Sequence, residues 1–339
     1  MPLPFIPLIV AGAAAASAAV AGKKGYDSYQ NMKETKQIAE QLESRYKNAY
    51  NQFETSRDQT NSNFEEYGLL KLEILDGSIK DFVNEFKQIK NVNFSNKAVT
   101  DEFVTNQDIE QFVLNIEKQV VKAGQVLTAG VASIAGGGLA AMGAVGATTT
   151  FAAASTGTAI ATLSGIAAQN ATLAFLGGGA LSAGGLGIAG GTMVLGGIAL
   201  APALAIGSLI FASTTEKKLH EMYAKKAEVN TEVEKLSAAK NVMNQISSTT
   251  NSMKDLAEST NKLFMDYIYK MKSVISQKGL DFRNYSTEEQ SIIHTNYKLA
   301  IIMRDVLNTT ILDEKGQLVG NLQSVITAKK KAVTDLKGN

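Results

Sequence analysis

The chain has 339 residues, with 33 Lys and Arg against 32 Asp and Glu, and its net charge of +1 gives no general reason to bind nucleic acid. It has no Cys, which excludes disulfides, thiol nucleophiles and Cys-ligated metals; His220 and His294 are the only histidines, which argues against a His-based zinc site or a His-relayed hydrolase. Charge is sharply segregated, because Met1–Gly22 and the 93 residues from Ala123 to Thr215 contain no Asp, Glu, Lys, Arg or His.

In chain order, residues 1–25 form an apolar head. From Phe5 to Gly22 every residue is apolar or small. As a helix this run spans about 27 Å, close to the thickness of a bilayer core. No basic residue precedes it, unlike a secretory signal, and Lys23 and Lys24 follow it. The positive-inside rule therefore places the downstream chain in the cytoplasm.

Residues 26–122 form a first charged arm. Ala39, Leu42, Tyr46, Tyr50, Phe53, Phe64 and Tyr67 recur at spacings of three and four, which predicts one face of a long helix. Gly68 and Gly77 are expected breaks. Apolar residues continue through Leu72, Ile79, Phe82 and Phe86 to a polar break near residues 91–100. A further helix is expected to start near residues 105–108 and to run through Phe112, Ile116 and Val120 into the uncharged tract.

Residues 123–215 hold 20 of the 29 glycines. A membrane span takes about 20 residues, so the tract has room for four short crossings; two crossings would leave legs of roughly 69 Å, longer than a bilayer, and would need stems buried in protein. Gln169 and Asn170 lie at its midpoint and suit a hairpin turn. Lys118 and Lys122 precede the tract and Lys217 and Lys218 follow it. These similar basic flanks imply an even number of crossings. Gly179, Ala183, Gly187 and Gly191 repeat every four residues, as do Gly136 and Ala140, and such small-residue faces let helices approach closely in lipid. Pro202 is expected to kink the most lipid-like stretch.

Residues 216–339 form the second arm. No Pro or Gly occurs from Glu216 to Lys278, so one uninterrupted helix is expected. Met222, Val229, Leu236, Met243, Ile246 and Met253 mark a heptad seam that continues to Val274, with Lys240, Thr250 and Thr260 as polar intrusions. A turn is expected at Gly279–Tyr285, then a helix capped by Ser286 or Thr287. A second turn at residues 313–316 leads to a last, Lys-rich helix.

No catalytic constellation emerges. Gly185-Leu186-Gly187-Ile188-Ala189-Gly190 fits a dinucleotide pattern but has neither a preceding strand signal nor an acid about 20 residues on. No Gly-Lys-Ser/Thr occurs. The expectation is a non-enzymatic protein with no cofactor or metal. Its expected partners are a lipid bilayer and helices, its own or another's, met through the arms, with no nucleic acid.

The opening MPLPFIPLIVAG with Lys23-Lys24-Gly25-Tyr26-Asp27, together with STGTAIATLSGIAAQNATLAFLGGGALSAGGLGIAGG, resembles a widespread bacterial group of uncharacterised proteins. That likeness covers about a third of the chain and implies no activity. The layout of long helices around a central apolar segment resembles helical pore-forming toxins of the cytolysin A kind. Apolipoprotein L and colicin pore domains share the idea of a buried apolar hairpin. These resemblances imply an apolar segment stored in a soluble form and inserted on assembly. The expected fold is all-α, an extended bundle or coiled coil of long helices with a central Gly/Ala-rich hairpin. The expected function is to permeabilise or remodel a membrane, as a toxin or defence effector. The alternatives are an inert membrane-anchored coiled-coil scaffold and a soluble helical protein with a Gly/Ala core. The expected location is a bacterial inner membrane with the arms in the cytoplasm, or solution until insertion is triggered.

Overall fold

The computed structural model describes residues 23–94, 109–128, 215–312 and 317–337. These residues are all-α: α1 (Lys23–Ile74), a π turn (Leu75–Ile79), α2 (Lys80–Phe86), α3 (Ile109–Thr128), α4 (Thr215–Lys278), α5 (Thr287–Asn308) and α6 (Leu322–Lys337). The only β features among them are two isolated bridges, Lys90 with Asp281 and Leu312 with Leu318. Among the described residues no helix is long and apolar enough to cross a membrane. The expected apolar hairpin lies outside the described residues.

The chain forms two compact units, each drawing on both charged arms. The described part of the first unit is residues 23–58 of α1 and 215–244 of α4. Here the helices bury Ala39 and Leu42 of α1 against Met222 and Val229 of α4, with Ile38, Tyr46 and Val233 packed alongside. Tyr223 Oη donates to Glu34 Oε1, and Lys240 Nζ donates to Gln52 Oε1. The partners are 189 and 188 residues apart, and a separation that stays constant along both helices makes them parallel. Met222, Val229, Leu236 and Met243 are all buried at intervals of seven, the repeat of a left-handed coiled coil. Lys240 was expected on this seam. Ala239 is buried there instead, and Lys240 sits beside the seam where its ammonium reaches Gln52.

The second unit holds residues 59–94, 109–128, 245–312 and 317–337 of the described chain. Its pairs Asn63–Ser247, Glu66–Lys254 and Asp81–Lys272, separated by 184, 188 and 191 residues, again run α4 parallel to α1 and α2. The seam of α4 continues through Ile246, Met253, Phe264, Met271 and Val274. Thr250 and Thr260 are on it, fully buried, and each hydroxyl donates to the carbonyl four residues back, Ile246 O and Leu256 O. The buried face of the first arm widens here because α3 and α5 also pack in. Tyr297 of α5 touches the rings of Phe86, Phe94 and Phe112 at centroid distances of 5.6, 5.4 and 5.0 Å.

Neither glycine of the first arm ends a helix. Gly68 is buried within α1, where packing by neighbours such as Tyr67 and Leu72 offsets the roughly 1 kcal/mol helix penalty of Gly. Gly77 lies inside the π turn, where Lys80 N–H reaches back five residues to Leu75 O. The chain absorbs one extra residue there without breaking. The turn after α4 is as expected. Gly279 has φ +80°, and Ser286 caps α5 by accepting from Glu289 N–H while the Glu289 carboxylate accepts from Ser286 N–H.

Candidate functional site

The uncharged tract meets the described structure at two places. The first is α3. Phe112, Val113, Ile116, Val120 and Ala123 are buried along its inner face at spacings of three and four. They dock it on the π turn and α2. Two further contacts hold α3, one at the end of α2 and one to α5. Lys87 Nζ bonds Glu117 Oε1 at 2.8 Å, and the Arg304 guanidinium of α5 lies 4.9 Å from the Phe112 ring centroid. A Cβ at Gly124 would lie 3.5 Å from the Asp76 carboxylate of the π turn, an ordinary van der Waals contact, so the packing there does not require a glycine. Asp76 is itself paired with Lys80 at 3.0 Å. The first six residues of the tract, Ala123–Thr128, thus continue a helix that is anchored by its charged half.

The second place is the start of α4 in the first unit. Both α1 and α4 begin here, since the helices are parallel. In the sequence each start is preceded by uncharged residues, Met1–Gly22 before α1 and the long tract before α4. Tyr26 and Tyr29 are 65% and 62% exposed, and Met32 and Tyr223 are exposed with them. The Lys226 ammonium lies 5.9 Å from the Tyr223 ring centroid. Glu221 and His220 are exposed, and Lys225 pairs with Glu228 at 2.6 Å.

Of the residues singled out in the sequence, Lys118 and Lys122 are exposed on α3 in the second unit, whereas Lys217 is exposed and Lys218 half-buried on α4 in the first. Lys23 and Lys24 open α1. Gly136, Ala140, Gln169, Asn170, Gly179, Ala183, Gly187, Gly191 and Pro202 lie outside the described residues. Among the described residues no three His, Asp or Glu side chains gather as a metal site would require.

Sequence reading passed over three features. The exposed tyrosines at the start of the first unit were legible as aromatic residues next to lysines. The π turn left no signal beyond Gly77. Lys71 reads as one more surface lysine in a charged helix, yet it is fully buried in the second unit, its ammonium 4.4 Å from the Tyr67 ring centroid. Burial pulls its pKa down to about 7 and pushes the Tyr67 phenol up, while Tyr67 donates to Val306 O of α5.

No family model, no curated protein and no solved structure matches this chain.

Proposed function

We propose that this is a membrane-active, non-enzymatic helical protein that inserts its Gly-rich apolar tract to permeabilise or remodel a bilayer. The observation that carries the reading is the run of 93 residues without one ionisable side chain, set between helices dense in charge. An ionless tract of that length has little affinity for water and enough residues for several crossings. Further support comes from α3. Its inner face packs on the second unit while its last turns belong to the tract, so a folded body and an apolar module share one continuous helix. The low Leu and Ile content of the tract fits a segment held in water before insertion better than a permanent span. In this reading the arms face the cytoplasm, next to the lysines that flank each uncharged run.

The scaffold reading loses its main support. The heptad seam that would gather partner helices is filled within the chain, by α1 in the first unit and by α1, α2 and α5 in the second.

Purified protein added to dye-loaded liposomes is expected to release the dye. Liposomes that stay intact across pH and lipid composition would sink the proposal.

A further inference from the structure

The parallel pairing of α1 and α4 gathers residues that are about 190 positions apart in sequence at one end of the first unit. Tyr26 and Tyr29 project from α1 into solvent there, and Met32 follows one turn on. From α4 come Tyr223, with its ring exposed, and Lys226 beside it. The sequence is lysine-rich on both helices at this end, with eight Lys against four acidic residues over positions 23–36 and 215–226. One of those acids, Glu34, accepts a hydrogen bond from the Tyr223 hydroxyl.

Tyrosine is amphipathic, and an environment that covers the ring and leaves the hydroxyl wet suits it best. The headgroup layer of a bilayer does both, which is why Tyr collects at membrane interfaces. Lysines at the same level add attraction for anionic headgroups. A soluble acidic protein or a nucleic acid could use both the lysines and the tyrosine rings, but gives no account of two helix starts that each follow an uncharged run. A bilayer accounts for both.

We propose that this end of the first unit is a docking surface for anionic lipid headgroups, with Tyr26, Tyr29 and Tyr223 at the interface and Lys217, Lys218 and Lys226 supplying the charge. The proposal rests on the membrane reading above and adds where, and to which lipids, the protein first binds.

The test is flotation of the full-length protein with phosphatidylcholine vesicles, with and without phosphatidylglycerol, run beside dye release. The wild type is expected to float with the anionic vesicles and to lose at least about ten-fold in binding when phosphatidylglycerol is omitted or salt is raised. Charge reversal at three positions (K217E, K218E, K226E) and, separately, Tyr26→Ser with Tyr29→Ser should each weaken flotation by a similar factor or more, with unchanged helical circular dichroism and melting. Lys330→Glu with Lys331→Glu, in the second unit, should leave it unchanged. Full flotation of the first-unit variants would overturn the docking surface, as would equal binding to neutral vesicles or an equally tight complex with heparin in place of lipid. Flotation that needs these residues but releases no dye upholds the surface and removes only the permeabilising function. Dye release that ignores them does the reverse.

Discussion

Lys71 is a cationic side chain that the second unit buries at a cost. Its side chain is fully buried, and loss of hydration holds its pKa near 7 against 10.5 in water. Between those two values the unfolded chain binds a proton that the native protein does not. Stability therefore rises with pH from about 7 to 10.5 and is flat, as far as this group is concerned, below the native value. The slope approaches about 1.4 kcal/mol per pH unit for one proton. Urea unfolding at pH 7, 8 and 9 should show this rise, and Lys71→Met should flatten it. A wild-type curve without slope over that range would mean that the amine finds water or a counter-charge in the native state. The buried Tyr67 acts oppositely at higher pH: its phenol is held protonated, so stability falls once the unfolded chain begins to lose that proton above about 10. Asp281 is a contrasting, half-buried case. Hydrogen bonds from Arg283 and then Asn91 hold its carboxyl well below the usual carboxylate range, and it fastens the turn after α4.

At the scale of elements, α3 is the part whose attachment can be separated from the rest. It docks through a narrow apolar face and leaves Leu114 and Val121 exposed on the other side. Phe112→Ala would empty the place beside Tyr297 and Arg304. The expected cost is about 3–5 kcal/mol, falling on α3 first. Hydrogen exchange of residues 109–128 should accelerate by orders of magnitude while the seam of α1 and α4 keeps its protection; a uniform loss across all helices would show instead that α3 is integral to the fold. Much at this scale was legible beforehand. The heptads of α4 from Met222 to Val274, apart from Lys240, and a helix cap at Ser286 or Thr287 follow from local spacing and side-chain chemistry; the structure buries the heptad positions and places the cap at Ser286. The π turn and the continuity through Gly68 were not legible, because a glycine reads as a break until packing from other helices is known. The burial of Lys71 was hidden for the same kind of reason, since it depends on other elements closing over α1, as α5 does where Tyr67 donates to Val306 O.

At the scale of the whole molecule, the sequence announces which residues avoid charge but not which helices pair, since pairing depends on contacts nearly 190 residues apart. The absence of cysteine makes the parallel register easy to check. In the first unit, Gln52→Cys with Lys240→Cys should cross-link within one chain through a short bismaleimide, because the native side chains touch at 3.0 Å. Gln52→Cys with Glu221→Cys, more than four turns away along α4, should not; efficient cross-linking of that second pair would point to an antiparallel or sliding pair.

The parallel pairing also governs when this protein can fold. The seam of α1 leaves the ribosome early, but its counterpart in α4 is translated about 188 residues later. At about 5–20 residues per second, that delay is roughly 10–40 s. Throughout it the nascent chain carries an unmatched apolar stripe, and most of the ionless tract emerges during the same interval. Co-translational chaperones, or early contact with lipid, therefore have their opportunity before either unit is complete.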